Sequence, residues 1–166
     1  MNKVGVSLRP VTPEDENFLH EVYAGTRAEE LKLVPWDETQ RAAFLKMQCQ
    51  AQLEHYRKNY PNAQHHLILL DERPVGRLYV DTTGEVIWIL DIALLPQQRG
   101  AGIGTPLIKE IMEEGARANK PVMIYVDTNS PALGLFQRLG FQVAQHDDIN
   151  TLMKWEPSGV SSEQTV

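Results

Sequence analysis

The chain has 166 residues, 42% hydrophobic and 23% charged, with 22 acidic side chains against 16 Lys and Arg for a formal net charge of −6. That is the length of one ordinary domain, which can bury roughly 70% of the surface its unfolded chain would expose and needs no metal or disulfide staple. The composition excludes collagen, low-complexity arrays and disorder throughout, and the lack of a basic run argues against a nucleic-acid partner.

In chain order, Val4, Val6 and Leu8 alternate and predict a strand over 4–10. Thr12-Pro13-Glu14-Asp15 reads as a helix start, with a cap, a proline at the first position and acids at the positive end. Phe18, Leu19, Val22 and Tyr23 then share one helical face, and Gly25 is expected to end that helix. Residues 26–36 read as irregular or a short second helix. Asp37-Glu38-Thr39-Gln40 has capping-box spacing and opens a longer helix running to about Asn59 before Pro61. Three apolar runs follow, His66–Leu70, Val75–Val80 and Val86–Leu95. The last two flank Thr82-Thr83-Gly84 as a hairpin. The third is apolar on both parities, the pattern of a central strand covered on both faces.

A helix from about Thr105 carries Leu107, Ile108, Ile111 and Met112, and Pro121 closes it. Val122–Val126 reads as a buried strand, Ser130-Pro131 as a helix start, and Gly140 as its C-terminal cap. Phe141–Ala144 and Thr151–Trp155 complete the strands. The expectation is a single α+β domain over 1–156, a mixed and mostly antiparallel sheet of about seven strands with helices on both faces. Residues 157–166 are rich in Ser, Gly and Gln and read as a disordered tail. No apolar stretch reaches the roughly 18 residues of a membrane span. The single cysteine, Cys49, fits a reducing compartment, so a cytoplasmic protein with no membrane partner is expected. The five histidines show no ligand spacing, and no metal is expected.

The informative segment is Leu94-Leu95-Pro96-Gln97-Gln98-Arg99-Gly100-Ala101-Gly102-Ile103-Gly104-Thr105-Pro106. Three alternating glycines join a buried strand to an amphipathic helix, so the backbone can turn tightly and a ligand can approach it. Free N–H groups at the positive helix start suit an anion, most naturally phosphate. No Lys follows the glycines as a Walker loop requires, and the third glycine comes one residue early for a dinucleotide loop. The plain alternative is a turn shaped only by close packing.

Arg99-Gly100-Ala101-Gly102-Ile103-Gly104 resembles the Arg/Gln-x-x-Gly-x-Gly/Ala motif of the GCN5-related N-acetyltransferases (GNAT). Asp91-Ile92-Ala93-Leu94-Leu95-Pro96 looks like that family's central strand. Asn129-Ser130-Pro131-Ala132, closed by Leu139-Gly140-Phe141, is similar to its second motif. The likeness covers about residues 4–156. It implies acetyl-coenzyme A as co-substrate, with the backbone of Arg99, Gly100, Ala101, Gly102, Ile103, Gly104 and Thr105 on the pyrophosphate. It also implies Ile92, Ala93 and Leu94 along the pantetheine arm, Asn129 on the arm's other side and Phe136 near the sulfur. The implied reaction is direct transfer to a primary amine of a small molecule or peptide; the alternative is a non-catalytic acyl-coenzyme A sensor.

Transfer needs a neutral amine, a stabilised thioester oxygen and a route for the thiolate's proton. By resemblance the Leu94 N–H is the oxyanion donor. Many relatives carry Tyr at the position of Phe136 as the acid, and Phe cannot donate, so that role is vacant, moved to another group such as Tyr125, or unneeded because coenzyme A is a good leaving group. Asp91, the one charge between Val86 and Leu95, is the candidate base; its alternative is a structural pair with a group such as Arg77. Glu85, Asp81 and Asp127 are weaker candidates. Glu29, Glu30, Trp36 and Asp37, with Tyr79 and Asp81, would suit an amine substrate or form a solvated acidic face. Cys49 reads as packing. A homodimer is compatible with the sequence, which does not encode the acceptor's identity.

Overall fold

The computed structural model describes residues 5–157. Val4 and the tail from 158 onward lie outside the described residues. The elements are β1 (Val6–Pro10), a 3-10 turn (Pro13–Asp15), α1 (Glu16–Leu31), α2 (Glu38–Asn59), β2 (Gln64–Leu70), β3 (Arg73–Asp81) and β4 (Ile87–Leu94). A second 3-10 turn (Pro96–Gln98), α3 (Gly104–Ala118), β5 (Val122–Asp127), α4 (Ala132–Leu139), β6 (Gln142–His146) and β7 (Asn150–Trp155) follow. The hydrogen-bonded strand order is β1-β2-β3-β4-β5-β7-β6, so β4 is the middle strand of seven, as its double-sided apolar pattern predicts. β4 and β5 run parallel, while β1–β2, β5–β7 and β6–β7 are antiparallel, which makes an α+β fold with a mostly antiparallel sheet. On one parity β4 buries Ile87, Ile89 and Ala93 at 9% exposure or less, while Asp91 on that parity and the residues of the other parity are half-buried.

The chain forms two compact units: the residues up to Tyr79 with Ile92–Ile103, and Val80–Asp91 with the chain from Gly104 onward. In the first, α1 lays Val22 on Ala93 and Leu95 at the end of β4, with Phe18 packed alongside. Burying each such aliphatic side chain contributes about 1.5–3 kcal/mol. Cys49 is fully buried on α2 and in no disulfide among the described residues, in the packing role expected of it. Arg9 reaches from β1 to Asp15 with two guanidinium N–H bonds of 3.0 Å each, and with the Thr12 N–H these hold the Asp15 carboxyl down at about 2. In the second unit, α3 buries Leu107, Ile108 and Ile111, and Phe136 of α4 lies edge-on to Phe141 at 5.1 Å.

Two expectations are corrected. Gly25 does not end its helix: α1 runs on to Leu31, so residues 26–31 are helical rather than irregular. Pro131 is the residue before α4 rather than its first, and the Ser130 hydroxyl accepts from the Ala132 N–H at 3.1 Å. The Asp37 cap, its reciprocal bond with Gln40 and the left-handed Gly140 at the end of α4 are found as predicted.

His65 of β2 stacks on Tyr79 of β3 at 4.2 Å with the rings 10° apart. Burial, and then the charges of Arg77 and Arg57, push its imidazole down to about 3. The unfolded chain takes up this proton near 6.5 and the folded chain only near 3, so the neutral imidazole's contribution is complete above 6.5 and is lost as pH falls toward 3. His65→Phe keeps a ring on Tyr79 and removes the titration. Urea midpoints measured from pH 7 to pH 4 should fall less steeply in this variant than in the parent; parallel slopes would place the titration elsewhere.

Candidate active site

The loop from Pro96 to Ile103 belongs to the same unit as the end of β4. β4 makes three ladder pairs with β5, Ile87–Val122, Trp88–Met123 and Ile89–Ile124, and then runs five residues further to Leu94. On its β3 side the strand is fastened where the Leu95 N–H donates to the Val75 carbonyl at 2.9 Å. A Cβ on Gly76 would collide with the Ala93 carbonyl, so β3 approaches this end of β4 by backbone contact. A 3-10 turn then reverses the chain, with the Gln98 and Arg99 N–H groups donating to the Leu95 and Pro96 carbonyls.

Gly100 and Gly102 have φ of +75° and +79°, the left-handed region that glycine enters without penalty. A Cβ built at Gly100, Gly102 or Gly104 would meet no atom within 4 Å. The glycines are therefore not there to let protein pack closely, and the plain alternative of a packing turn fails on this point. Among the described residues, no backbone N–H from Gly100 to Thr105 has a protein acceptor. Ile103, 1% exposed, anchors the far end of this run. The result is an exposed backbone of left-handed and helix-start amides, the kind of arrangement that suits an anion.

The near end of the loop is held by a contact that the sequence did not reveal. The Arg99 guanidinium donates to the Gly25 carbonyl of α1 at 3.1 Å. At the same place Pro96 lies so close to Gly25 that a Cβ there would sit 2.9 and 3.1 Å from the proline ring. The glycine is thus a contact surface for the turn rather than a helix terminator. The one legible hint was a glycine inside an amphipathic stretch whose apolar spacing continues to Leu31.

The other candidates are distributed as follows. Ile92 and Leu94 are half-buried and Ala93 is buried. Asp91, which belongs to the second unit, is half-buried and not free of partners. Arg77, 1% exposed, hydrogen-bonds Gln52 and has further interactions. In the second unit Tyr125 is exposed and stacks on Trp88, 5.8 Å between centroids and 6° between planes. Asn129 is exposed, and its N–H donates to the Asp127 carboxylate, which spends that acid on a turn. Asp81 is likewise used by the N–H and hydroxyl of Thr83. Phe136 is 2% exposed. The proposed acidic face of α1 and α2 is locally occupied: Glu29 pairs with Lys32, Glu30 with Arg27, Asp37 caps α2, and Trp36 packs on Phe44. Among the described residues no three His, Cys, Asp or Glu side chains cluster as metal ligands, and no helix is long and apolar enough to cross a membrane.

A model of the acetyltransferase (GNAT) family matches residues 28–141. Thialysine N-epsilon-acetyltransferase of Mus musculus is 34% identical over 67 residues, 39% of this chain and 39% of that protein, so the match spans about two-fifths of the curated relative's length. Among solved structures, the PaiA N-acetyltransferase of Thermoplasma acidophilum in complex with coenzyme A superposes with a TM-score of 0.67 at 17% identity, covering 91% of this chain and 98% of that one. An acetyltransferase of Thermus thermophilus gives 0.67 at 22% identity over 94% of this chain and 99% of its own. At these identities the two structures show the fold.

Replacing Gly25 tests the contact at the loop. Helix propensity alone would make Gly25→Ala more stable by about 1 kcal/mol, whereas overpacking a stiff neighbour costs about 1–3 kcal/mol. With Pro96 at 2.9 Å, the expected outcome is a lower urea midpoint. A more stable variant would show that the Pro96 turn yields freely.

Proposed function

From the premise that the chain belongs to the GNAT family of acetyltransferases, we propose that it moves the acetyl group of acetyl-coenzyme A to a primary amine of a small molecule or peptide. The observation that carries this reading is the run of unpartnered amides from Gly100 to Thr105 with open space above its glycines. A diphosphate is the ligand group that such a run fits. Acetyl-coenzyme A supplies an activated acyl group on a good leaving thiol; the remaining steps are assigned to this chain's own residues.

The amides of Arg99 through Thr105 hold the diphosphate. β4 continues past its three pairs with β5, so the backbone of Ile92, Ala93 and Leu94 offers an edge to an extended, amide-bearing arm, as an added strand would be held. The Leu94 N–H donates to the thioester oxygen as it becomes negative. Asp91 accepts one proton of the incoming ammonium, directly or through water. The neutral amine then attacks the thioester carbonyl in a ternary complex, with no covalent intermediate on the enzyme; as the C–N bond forms and the C–S bond breaks, Tyr125 protonates the departing thiolate and is reprotonated by the second proton that the new amide nitrogen gives up. Asn129 and Phe136 are assigned to the arm on the family resemblance alone. The buried Cys49, in no disulfide among the described residues, fits a reducing, cytoplasmic setting.

The second reading, a non-catalytic acyl-coenzyme A sensor, draws on Phe136, which is buried against Phe141 and has no proton to give. Thiol release measured with acetyl-coenzyme A and a panel of amines separates the two. Acceleration by any amine supports transfer; binding without acceleration by any of them favours the sensor.

Two substitutions probe the assignment. Gly102→Val places a branched side chain at φ +79° over the amides and should weaken acetyl-coenzyme A binding by more than about tenfold, ~1.4 kcal/mol. An unchanged dissociation constant by calorimetry would remove the amide cup. Asp91→Asn should lower kcat at neutral pH while the melting temperature holds. If the melting temperature falls and kcat holds, Asp91 is structural.

A further inference from the structure

The unit that carries the glycine loop also contains a cavity of about 570 Å³ that the proposed transfer does not use. Glu16 and His20 from the start of α1, Glu54 and Arg57 from the end of α2, His65 of β2 and Tyr79 of β3 line it. From Gly25, where α1 meets the loop, to Glu16 is nine residues of helix, about 13 Å at 1.5 Å per residue. The distance along β3 from Val75, the partner of Leu95, to Tyr79 is also about 13 Å at 3.3 Å per residue.

Glu16, Glu54 and Arg57 stand at the exposed mouth of this cavity. Among the described residues neither Glu16 nor Glu54 forms an ion pair, and neither does Arg57. Glu54 and Arg57 are three apart on α2, a spacing at which opposite charges commonly meet, yet here they do not. The Nε2 atoms of His20 and His65 are buried without a hydrogen-bond partner. An unpaired buried polar atom is unfavourable, so a guest that reaches these nitrogens is favoured by relieving them. Arg57 lies near enough to His65 to weigh against a charge on it, so that ring offers a neutral donor and acceptor.

The sign of the guest follows from the three charges. A simple carboxylate would gain Arg57 but face Glu16 and Glu54. A simple amine would gain the two acids but face Arg57. We propose that the cavity binds a small zwitterion, an ammonium and a carboxylate on one amino-acid-sized molecule, with the carboxylate on Arg57 and the ammonium held by Glu16 and Glu54. Guanidinium binds carboxylate through two parallel N–H bonds, and the volume lies in the range of small-molecule sites. Leu19 and Leu53 in the wall give an aliphatic side chain a place to lie. The site needs no acyl-coenzyme A, so it stands or falls apart from the acetyl-transfer reading.

Leucine, leucinamide and 4-methylpentanoate share one side chain and carry both charges, the ammonium alone and the carboxylate alone. Calorimetric titration of the full chain should show leucine binding at least about tenfold more tightly than either analogue. Arg57→Gln should abolish the preference for leucine over leucinamide. Glu16→Gln with Glu54→Gln should abolish its preference over 4-methylpentanoate. Circular dichroism would verify that these exposed-site variants are folded. No saturable binding of leucine up to about 10 mM, equal affinities for the three ligands, or leucine affinity unchanged in Arg57→Gln would each overturn the proposal.

Discussion

Six consecutive residues, Gly100 to Thr105, whose backbone N–H groups find no protein acceptor among the described residues, form the constraint on which the candidate site depends. Such groups are normally satisfied within the fold, and here the local conformation prevents it. Left-handed φ at Gly100 and Gly102 turns successive amides outward, and the helix that begins at Gly104 leaves its own first amides open. The run keeps this shape because both ends are fixed. Ile103 is sunk in the core, and Arg99 is tied across to the carbonyl of Gly25. Without those two anchors a glycine-rich segment would have many conformations of similar energy.

The anchors in turn depend on how α1 and β4 pack. Val22, Ala93 and Leu95 form one apolar cluster, and the bond from Leu95 to Val75 fastens the strand end beneath it. The Pro96 turn then presses on α1 at the one position where the helix has no side chain. Helix, strand end and loop thus behave as one mechanical piece. A change on the far side of α1 has a physical route to the amides, through packed atoms and a single guanidinium bond.

The cavity at the start of α1 follows a different logic. At the end of α1 two acids are paired locally, Glu29 with Lys32 and Glu30 with Arg27. Around the cavity two acids and one base stay apart, and two imidazole nitrogens stay unpartnered. The stacked His65 and Tyr79 rings keep the wall stiff and partly apolar. A polar cavity with uncompensated charges of both signs selects for a guest with both signs.

Much of this was legible in one dimension. The Asp37 capping box, the Gly140 cap, the doubly apolar run that became the middle strand and the glycine spacing after Pro96 are all set by local chemistry, and each is found where the sequence puts it. Local rules failed where a distant residue decides the outcome. Gly25 looked like a helix terminator because propensity weighs it by itself, but its role is set by Pro96, 71 positions away. The acids Glu29, Glu30 and Asp37 looked available because composition does not show pairing, while Glu16 and Glu54 drew no notice although they share a cavity with Arg57. Backbone conformation and capping depend on neighbours in sequence, so the chain alone determines them. Which charges remain unpaired and which amides remain open depends on neighbours in space, and only the tertiary structure decides that.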